Sequence, residues 1–546
     1  MTTQINGSKK ILWIFIFLLI NVLAAEGQNA QIKIDTGRTI GEVHPHIYGN
    51  FTEHLGRHIY GGIYDPGSPL ADESGFRTDV IKAVRDLNVT ILRYPGGNFV
   101  SNYHWLDGVG PVEERPTRMD LAWSVLEPNT FGTNEFMEFA RKIGSEPFFA
   151  VNMGTGTIEE ARRWVEYTNV PAGIDNNAPP HVTKGPYYAE LRKKHGYKEP
   201  HNIIYWSLGN EMDGHWQMGH LNAEDYSKKA REAAKLMKLT DPRIKLIAAG
   251  SSNYYGADAD PDLWNRTIIQ ELKDYIDYIA LHIYVGNEDD NYYDFMASSR
   301  VMEDRTQVVR GMINEVMLDP HRTEDDMIYI AWDEWNVWYR ARGGRGGTGY
   351  RALEERYNLE DALVVASFLN GFIRNADIVK MANMAQLVNV IAPIFTSEDD
   401  MFLQTIYFPL QLFANNMHGT SLDIFVDCET YSTGIFFSGA GYSPTRQTNV
   451  PYLDVSATSN EGELVIAVVN RNKDQAVTTD ILSASGNFSG RFEVYEVNGP
   501  DIKARNDFGV ENVKTERKDD IRAGGDKFTY SFPPHSFTLL KGRISE

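Results

Sequence analysis

From about residue 40 to residue 395 the chain alternates short, almost uninterrupted apolar runs with stretches of helical period. The runs are His46–Phe51, Ile91–Tyr94, Pro147–Asn152, Ile203–Leu208, Leu246–Gly250, Tyr278–Tyr284, Met327–Asp333 and Val379–Ala385. Apolar residues at successive positions mark a strand buried on both faces, as parallel strands are. Between the runs, Phe136, Phe139, Ala140 and Ile143 repeat at helical spacing, as do Tyr226, Ala230, Ala233 and Met237. Eight βα units in sequence predict an α/β fold, a closed (β/α)8 TIM barrel with inserted loops. An open doubly wound sheet also alternates, but no Gly-x-Gly-x-x-Gly follows the first run.

At 546 residues the chain exceeds one barrel. After about residue 400 the pattern changes to short strands separated by Gly, Asn, Asp and Pro: Leu464–Val469, Phe492–Val497, Phe528–Phe532 and Ser536–Leu540. This predicts a C-terminal antiparallel β-sandwich, which a strand at Gln31–Asp35 is expected to join. Ahead of it, Lys9 and Lys10 precede an apolar run from Ile11 to Leu19, with small residues at Ala24, Ala25 and Gly27. That is the pattern of a secretory signal peptide, too short for a membrane span. The expected organisation is a signal peptide at 1–28, one or more sandwich strands at 29–40, the barrel at 41–400 and the sandwich at 401–546. An exported chain that no membrane holds after cleavage is the corresponding location.

A formal charge of −21 repels phosphate backbones and anionic lipid and so excludes nucleic acid as a partner. The loop Arg342–Tyr350 (RGGRGGTGY) therefore reads as a surface or lid loop rather than an RNA-binding element. The single cysteine, Cys428, excludes an intrachain disulfide and a cysteine-based metal site. His54 and His58 have i, i+4 spacing, but no Glu follows His54 as a metalloprotease helix requires, and neighbouring glycines and a proline oppose a helix there. No metal and no cofactor is expected.

Chemistry in a barrel gathers at the C-terminal ends of the strands. Those ends carry Glu53 and His54, Arg93 through Asn98, Asn210 and Glu211, His282 and Tyr284, Asp333 through Asn336, and Gln386. Glu211 on the fourth strand and Glu334 on the seventh supply the two carboxyl groups that glycoside hydrolysis requires, one to protonate the leaving oxygen and one to attack. Asp333 and Glu334 are neighbours. If the strand persists through them they face opposite ways, only one is catalytic, and Trp332 shares the side of Glu334.

These residues make the chain recognisable. Tyr205-Trp206-Ser207-Leu208-Gly209-Asn210-Glu211-Met212-Asp213-Gly214 resembles the acid/base segment of the family 51 glycoside hydrolases, the α-L-arabinofuranosidases. Ala331-Trp332-Asp333-Glu334-Trp335-Asn336-Val337-Trp338 resembles their nucleophile segment. Glu53-His54-Leu55-Gly56-Arg57, Arg93-Tyr94-Pro95-Gly96-Gly97-Asn98-Phe99, Asp120-Leu121-Ala122-Trp123 and Ala385-Gln386-Leu387-Val388-Asn389 follow the family's order across nearly the whole mature chain.

The resemblance implies a retaining, exo-acting enzyme that releases terminal arabinofuranose from arabinan, arabinoxylan or their oligosaccharides. It implies Glu211 as acid/base and Glu334 as nucleophile. Glu53, Arg93, Asn98, Asn210, His282, Tyr284 and Gln386 would line the sugar subsite, with Trp123 and Trp338 as apolar walls, and the chain would form a homo-oligomer, a trimer or hexamer. Ser207 stands where the family pattern leads one to expect Cys. The stretch Val170–Tyr197 is longer than the family needs and is expected to reshape the outer subsites. Other readings of the same scaffold are an endoglucanase or xylosidase, or an inactive sugar-binding homologue. Retention of both carboxyl groups speaks against the last.

Overall fold

The computed structural model describes residues 30–174, 178–252, 260–342, 349–434, 436–438, 441–443 and 447–545. The segment 1–28, expected as a signal peptide, and most of the glycine-rich loop, 343–348, lie outside the described residues. Eight parallel strands close into a barrel: Gly49–Phe51, Ile91–Tyr94, Glu146–Ala150, Tyr205–Leu208, Lys245–Ala249, Tyr278–Val285, Tyr329–Val337 and Val379–Ala385. All eight expected strands are present, with two notable changes of extent. The first opens as a 3-10 turn, Pro45–Tyr48, because Pro45 has no N–H to give a ladder and His44 Nδ1 accepts from His46 N instead. The seventh runs four residues past Asp333.

The seventh strand also overturns an expectation about facing. Its pairing with the eighth shifts between Trp332 and Trp335, and the sixth strand shifts against it between Ala280 and His282. Such a bulge puts two successive side chains on one side. Trp332 points to the outer helices, where its indole N–H donates to Thr306 Oγ1, and Trp335 stacks on Phe368. Asp333 and Glu334 both turn inward to Arg93. Trp332 therefore does not share the side of Glu334.

The expected helical faces are the buried ones: Phe136, Phe139, Ala140 and Ile143 in Thr133–Ile143, and Tyr226, Ala230, Ala233 and Met237 in Ala223–Thr240. Leu359–Arg374 is different. Every residue from Leu359 to Ile373 is buried, because this helix lies between the barrel and the C-terminal sheet. The helix Tyr407–Asn416 falls beyond the expected barrel limit of residue 400. It belongs with the barrel's helices, with Tyr407 OH donating to Ala83 O and Asn88 Nδ2 donating to Ala414 O on or next to helix Thr78–Leu87. Its other side stacks Phe413 on Phe537 of the sheet, so it is apolar almost all round and shows no helical period. Within Val170–Tyr197, Tyr187–Lys194 is a helix. It is tied to the preceding helix by Arg192, which donates to Tyr167 O and Val170 O.

The C-terminal domain is one continuous sheet of eleven strands. Ala30–Ile34 lies near one end of the strand order and Thr39–Glu42 at the other. Ala30–Ile34 runs parallel to Val477–Ser483, so the expected purely antiparallel arrangement is broken at that pair. One apolar cluster joins Ile32, Ile34, Ile481 and Phe528 with Leu464, Ile466, Val468 and Leu540, from strands distant in the order, so the sheet folds over its own core. The alternate residues Val465, Ala467, Val469, Phe537 and Leu539 join the barrel's core. Both faces of Glu463–Asn470 are buried, hence its unbroken apolar run. Among the described residues, no helix is long and apolar enough to cross a membrane.

A buried ionic cluster fastens the two layers. Asp454, on the sheet, accepts from both Arg374 and Arg471, and Arg374 Nη2 also lies 2.7 Å from Glu303. Burial pushes the Asp454 carboxyl up, but the two guanidiniums outweigh it and hold it below the usual carboxylate range. Removing one member of a buried pair leaves the others uncompensated. We expect Asp454→Ala to cost about 3–5 kcal/mol in urea unfolding. Because the folded value is depressed, the stability Asp454 supplies is present above the unfolded pKa and lost as pH falls through the folded one. A variant equal to the parent at pH 7 would show the cluster to be dispensable.

Candidate active site

The polar strand ends converge on a cavity of about 430 Å³ at the C-terminal mouth of the barrel. Its lining includes Glu53, Asn98, Trp123, Glu211, Tyr284, Glu334, Trp338 and Gln386. Arg93, Asn210 and His282 lie beneath that lining, each at most 5% exposed, and hold the carboxyl groups from below. The structure thus brings all eleven expected residues together, though these three do not line the cavity as expected.

Arg93, on the second strand, is the centre. Its Nη1 donates to Glu334 Oε1 at 2.6 Å and its Nη2 to Asn210 Oδ1 at 2.6 Å, while Nε faces Asp333 Oδ2 at 3.3 Å. The guanidinium lies over the rings of Phe51 and Phe148, on the first and third strands. The planar fork presents separate N–H edges to groups on two strands in a fixed geometry. Tyr284 OH donates to the other oxygen, Glu334 Oε2, at 2.8 Å. Burial pushes the Glu334 carboxyl up; His282 and Arg93 pull it down, Glu211 adds to the push, and the balance stays above the ordinary value.

Glu211 leaves the fourth strand with φ +46°, a left-handed conformation that costs a non-glycine residue about 1–3 kcal/mol. Its two oxygens are both engaged: His282 Nδ1 is 2.9 Å from Oε1, and the Trp216 indole N–H donates to Oε2 at 2.5 Å. The second nitrogen of His282, Nε2, is 3.1 Å from Asp333 Oδ1. Burial opposes a charge on this imidazole, but Glu334, Asp333 and the hydrogen bonds to Asp333 and Glu211 prevail and hold its pKa well above the ordinary histidine value. The Asp333 carboxyl, pushed up by burial, is brought below its usual range by Arg93 and His282.

Glu53 sits on the opposite wall. Its Oε1 accepts from Phe99 N and Trp123 Nε1, both at 3.1 Å, and its Oε2 from Gln386 Nε2 at 2.8 Å. The approach is possible because Gly97 has no side chain; a Cβ there would lie 2.8 Å from Glu53 Oε2. Burial and the charge of Glu334 push Glu53 up to about 8, despite these donors.

Five side chains at the site lie outside the sequence reading. Strict alternation would turn Asp333 away from Glu334, and the bulge breaks that alternation. Trp216, five residues past Glu211, belongs to a tryptophan-bearing loop whose aim no spacing rule shows. Leu353 and Ile391 line the cavity from loops and carry no chemical signature. Arg342 also lines it, with its guanidinium 4.1 Å from the Trp338 ring centre. No described residue of 170–197 lines it.

The carboxylates and imidazole of Glu211, His282 and Glu334 place one potential ligand atom each within 4.8 Å of one another, and they are the three-residue group of this kind among the described residues. Both His282 nitrogens are engaged with carboxylate oxygens, however, and a doubly protonated imidazole has no lone pair for a metal. His54 and His58 do not converge either: His54 bonds Glu127 and Tyr94, and burial drives His58 down to about 3. We expect 15N NMR of the imidazoles to show His282 doubly protonated at pH 8. A neutral ring with one bare nitrogen at that pH would reopen the metal reading.

Comparison with known proteins agrees with this geometry. The family model described as the α-L-arabinofuranosidase C-terminal domain matches residues 333–536, and the model described as the α-L-arabinofuranosidase 1 domain matches residues 83–301. The chain is 41% identical to a probable α-L-arabinofuranosidase C of Aspergillus clavatus, over 95% of this chain and 98% of that one. It is 40% identical to an intracellular exo-α-(1→5)-L-arabinofuranosidase of Halalkalibacterium halodurans, over 94% and 98%. The solved structure of a thermostable GH51 α-L-arabinofuranosidase from Thermotoga petrophila superposes with a TM-score of 0.83 at 41% identity, covering 94% of this chain and all of that one.

Proposed function

The chain belongs to the α-L-arabinofuranosidases of glycoside hydrolase family 51, and on that premise we propose that it releases terminal α-L-arabinofuranosyl residues by double displacement, with Glu334 as nucleophile and Glu211 as acid/base. The observation that carries the mechanism is the spacing. A carboxylate oxygen of each lies within 4.8 Å of one of the other's, close enough for both groups to reach one anomeric carbon, as direct attack requires. Glu334 is the better anchored, with Arg93 on one oxygen and Tyr284 on the other.

In the first step Glu334 bonds the anomeric carbon while Glu211 gives its proton to the leaving oxygen. In the second, Glu211 takes a proton from water, which attacks the same carbon and frees Glu334. Asn210, held by Arg93, is placed to meet the sugar hydroxyl beside the reacting carbon. Trp123 and Trp338 wall the subsite, and Glu53, Asn98 and Gln386 bond its hydroxyls. No metal takes part in this scheme.

Arabinan, arabinoxylan and their oligosaccharides are the substrates we assign, with neutral chains suiting a surface of charge −21. The basic and apolar leader at Lys9–Leu19 supports export, unlike the relative named intracellular. Assembly as a homo-oligomer is supported by the cross-strand pair Met119 and Leu126, 67% and 71% exposed on the hairpin Arg118–Glu127.

The two glutamates should fail differently. In Glu211→Ala a nitrophenolate leaves without proton help, so the glycosyl-enzyme builds up and azide speeds turnover. In Glu334→Ala losses are severe for every leaving group. Azide acceleration of Glu334→Ala alone would reverse the roles. Early product followed by proton NMR should keep the anomeric configuration.

The pH profile follows from Glu334, which must be ionised to attack. Its pKa is held above the ordinary glutamate value, so the acid limb of kcat/KM should lie higher than an unperturbed glutamate would give, with activity lost as pH falls through it. Arg93→Met removes a charge that holds the pKa down, so the limb should move further up. A limb that stayed put would remove Arg93 from the role given to it.

A further inference from the structure

We propose that Trp216 is a positioning residue for the acid/base, acting through its indole N–H on Glu211; this rests on the reading of Glu211 given above. The indole donates to Oε2 at 2.5 Å, and Oε1 is taken by His282. An indole is a donor only, so it neither accepts the catalytic proton nor competes for it. It occupies one lone-pair direction of Oε2 and leaves the other free. With His282 on Oε1 and Trp216 on Oε2, the carboxyl is held at both oxygens and cannot turn, so the direction in which it presents its proton is fixed.

The loop that carries Trp216 is built for this. The ring lies directly against Gly214, where a Cβ would come within 2.4 Å of its carbons. Gly214 N bonds Glu211 O and Gln217 N bonds Gly214 O, so the turn folds back on the residue it serves. The next side chain, Gln217, is fixed by its donation to Ser101 Oγ, and its Oε1 is 3.4 Å from Asn210 Nδ2. Two successive residues of one short turn thus address the two members of the Asn210–Glu211 pair. Trp216 is half-buried and lines the cavity beside Glu211.

If Trp216 served only as wall, Trp216→Phe would lower all substrates alike. If it aims the proton, the loss depends on how much proton help the leaving group needs. The experiment is kcat/KM for Trp216→Phe against a series of arabinofuranosides running from dinitrophenyl to alkyl leaving groups, with Glu211→Ala on the same series. We expect the loss on alkyl substrates to exceed that on dinitrophenyl by about ten-fold, the effect of one hydrogen bond to a charged group. Trp216→Leu, which removes the ring as well, should show the same ratio with a higher KM, so the result does not hang on one variant folding. Equal losses across the series in both variants, while Glu211→Ala retains a steep dependence, would overturn the inference alone. A flat series in Glu211→Ala would instead overturn the acid/base reading beneath it.

Discussion

The guanidinium of Arg93 is the interaction on which the rest of the site depends. It is fully buried, where an unpaired cation would be prohibitively costly, and it is tolerated because Glu334, Asp333 and Asn210 meet it on separate edges. Those partners come from the fourth and seventh strands, and the aromatic faces over which the cation lies come from the first and third. One side chain thus sets the relative positions of five strands at the mouth of the barrel. The bulge in the seventh strand follows from the same demand, since regular alternation would turn either Asp333 or Glu334 away from the charge.

Charge balance completes the picture. Asp333, Glu334 and Glu211 face two cations, Arg93 and His282, so one surplus negative charge remains at the centre. A single proton shared into that centre neutralises it, which is the state a site needs before it breaks a glycosidic bond with one acid and one nucleophile. Glu53 stays outside this account as a neutral acid. Three N–H donors hold it in place.

Much of this was legible in the sequence. Strand runs such as Ile91–Tyr94 show because burial on both faces leaves few polar positions, and the rim shows because a barrel has one end for chemistry. What stayed hidden has physical reasons. Helix Tyr407–Asn416 is covered on nearly every side, so it has no amphipathic period to read. The bulge at Asp333–Glu334 is a response to a charge on another strand, which local pattern does not contain. Trp216 looks like any loop tryptophan until the turn at Gly214 folds it back on Glu211. The two N-terminal strands pair near opposite ends of the sheet order because the sheet folds over, a long-range property invisible in a five-residue run.

The central claim is that Glu334 forms a covalent bond to the sugar while Glu211 moves the proton. Its most direct test is mass spectrometry of Glu211→Ala after brief reaction with a dinitrophenyl arabinofuranoside, followed by acid quenching and proteolysis. The account predicts one pentosyl adduct, on the peptide that contains Glu334 and on that side chain. An adduct on any other residue, or none while nitrophenolate is released in a burst, would contradict it.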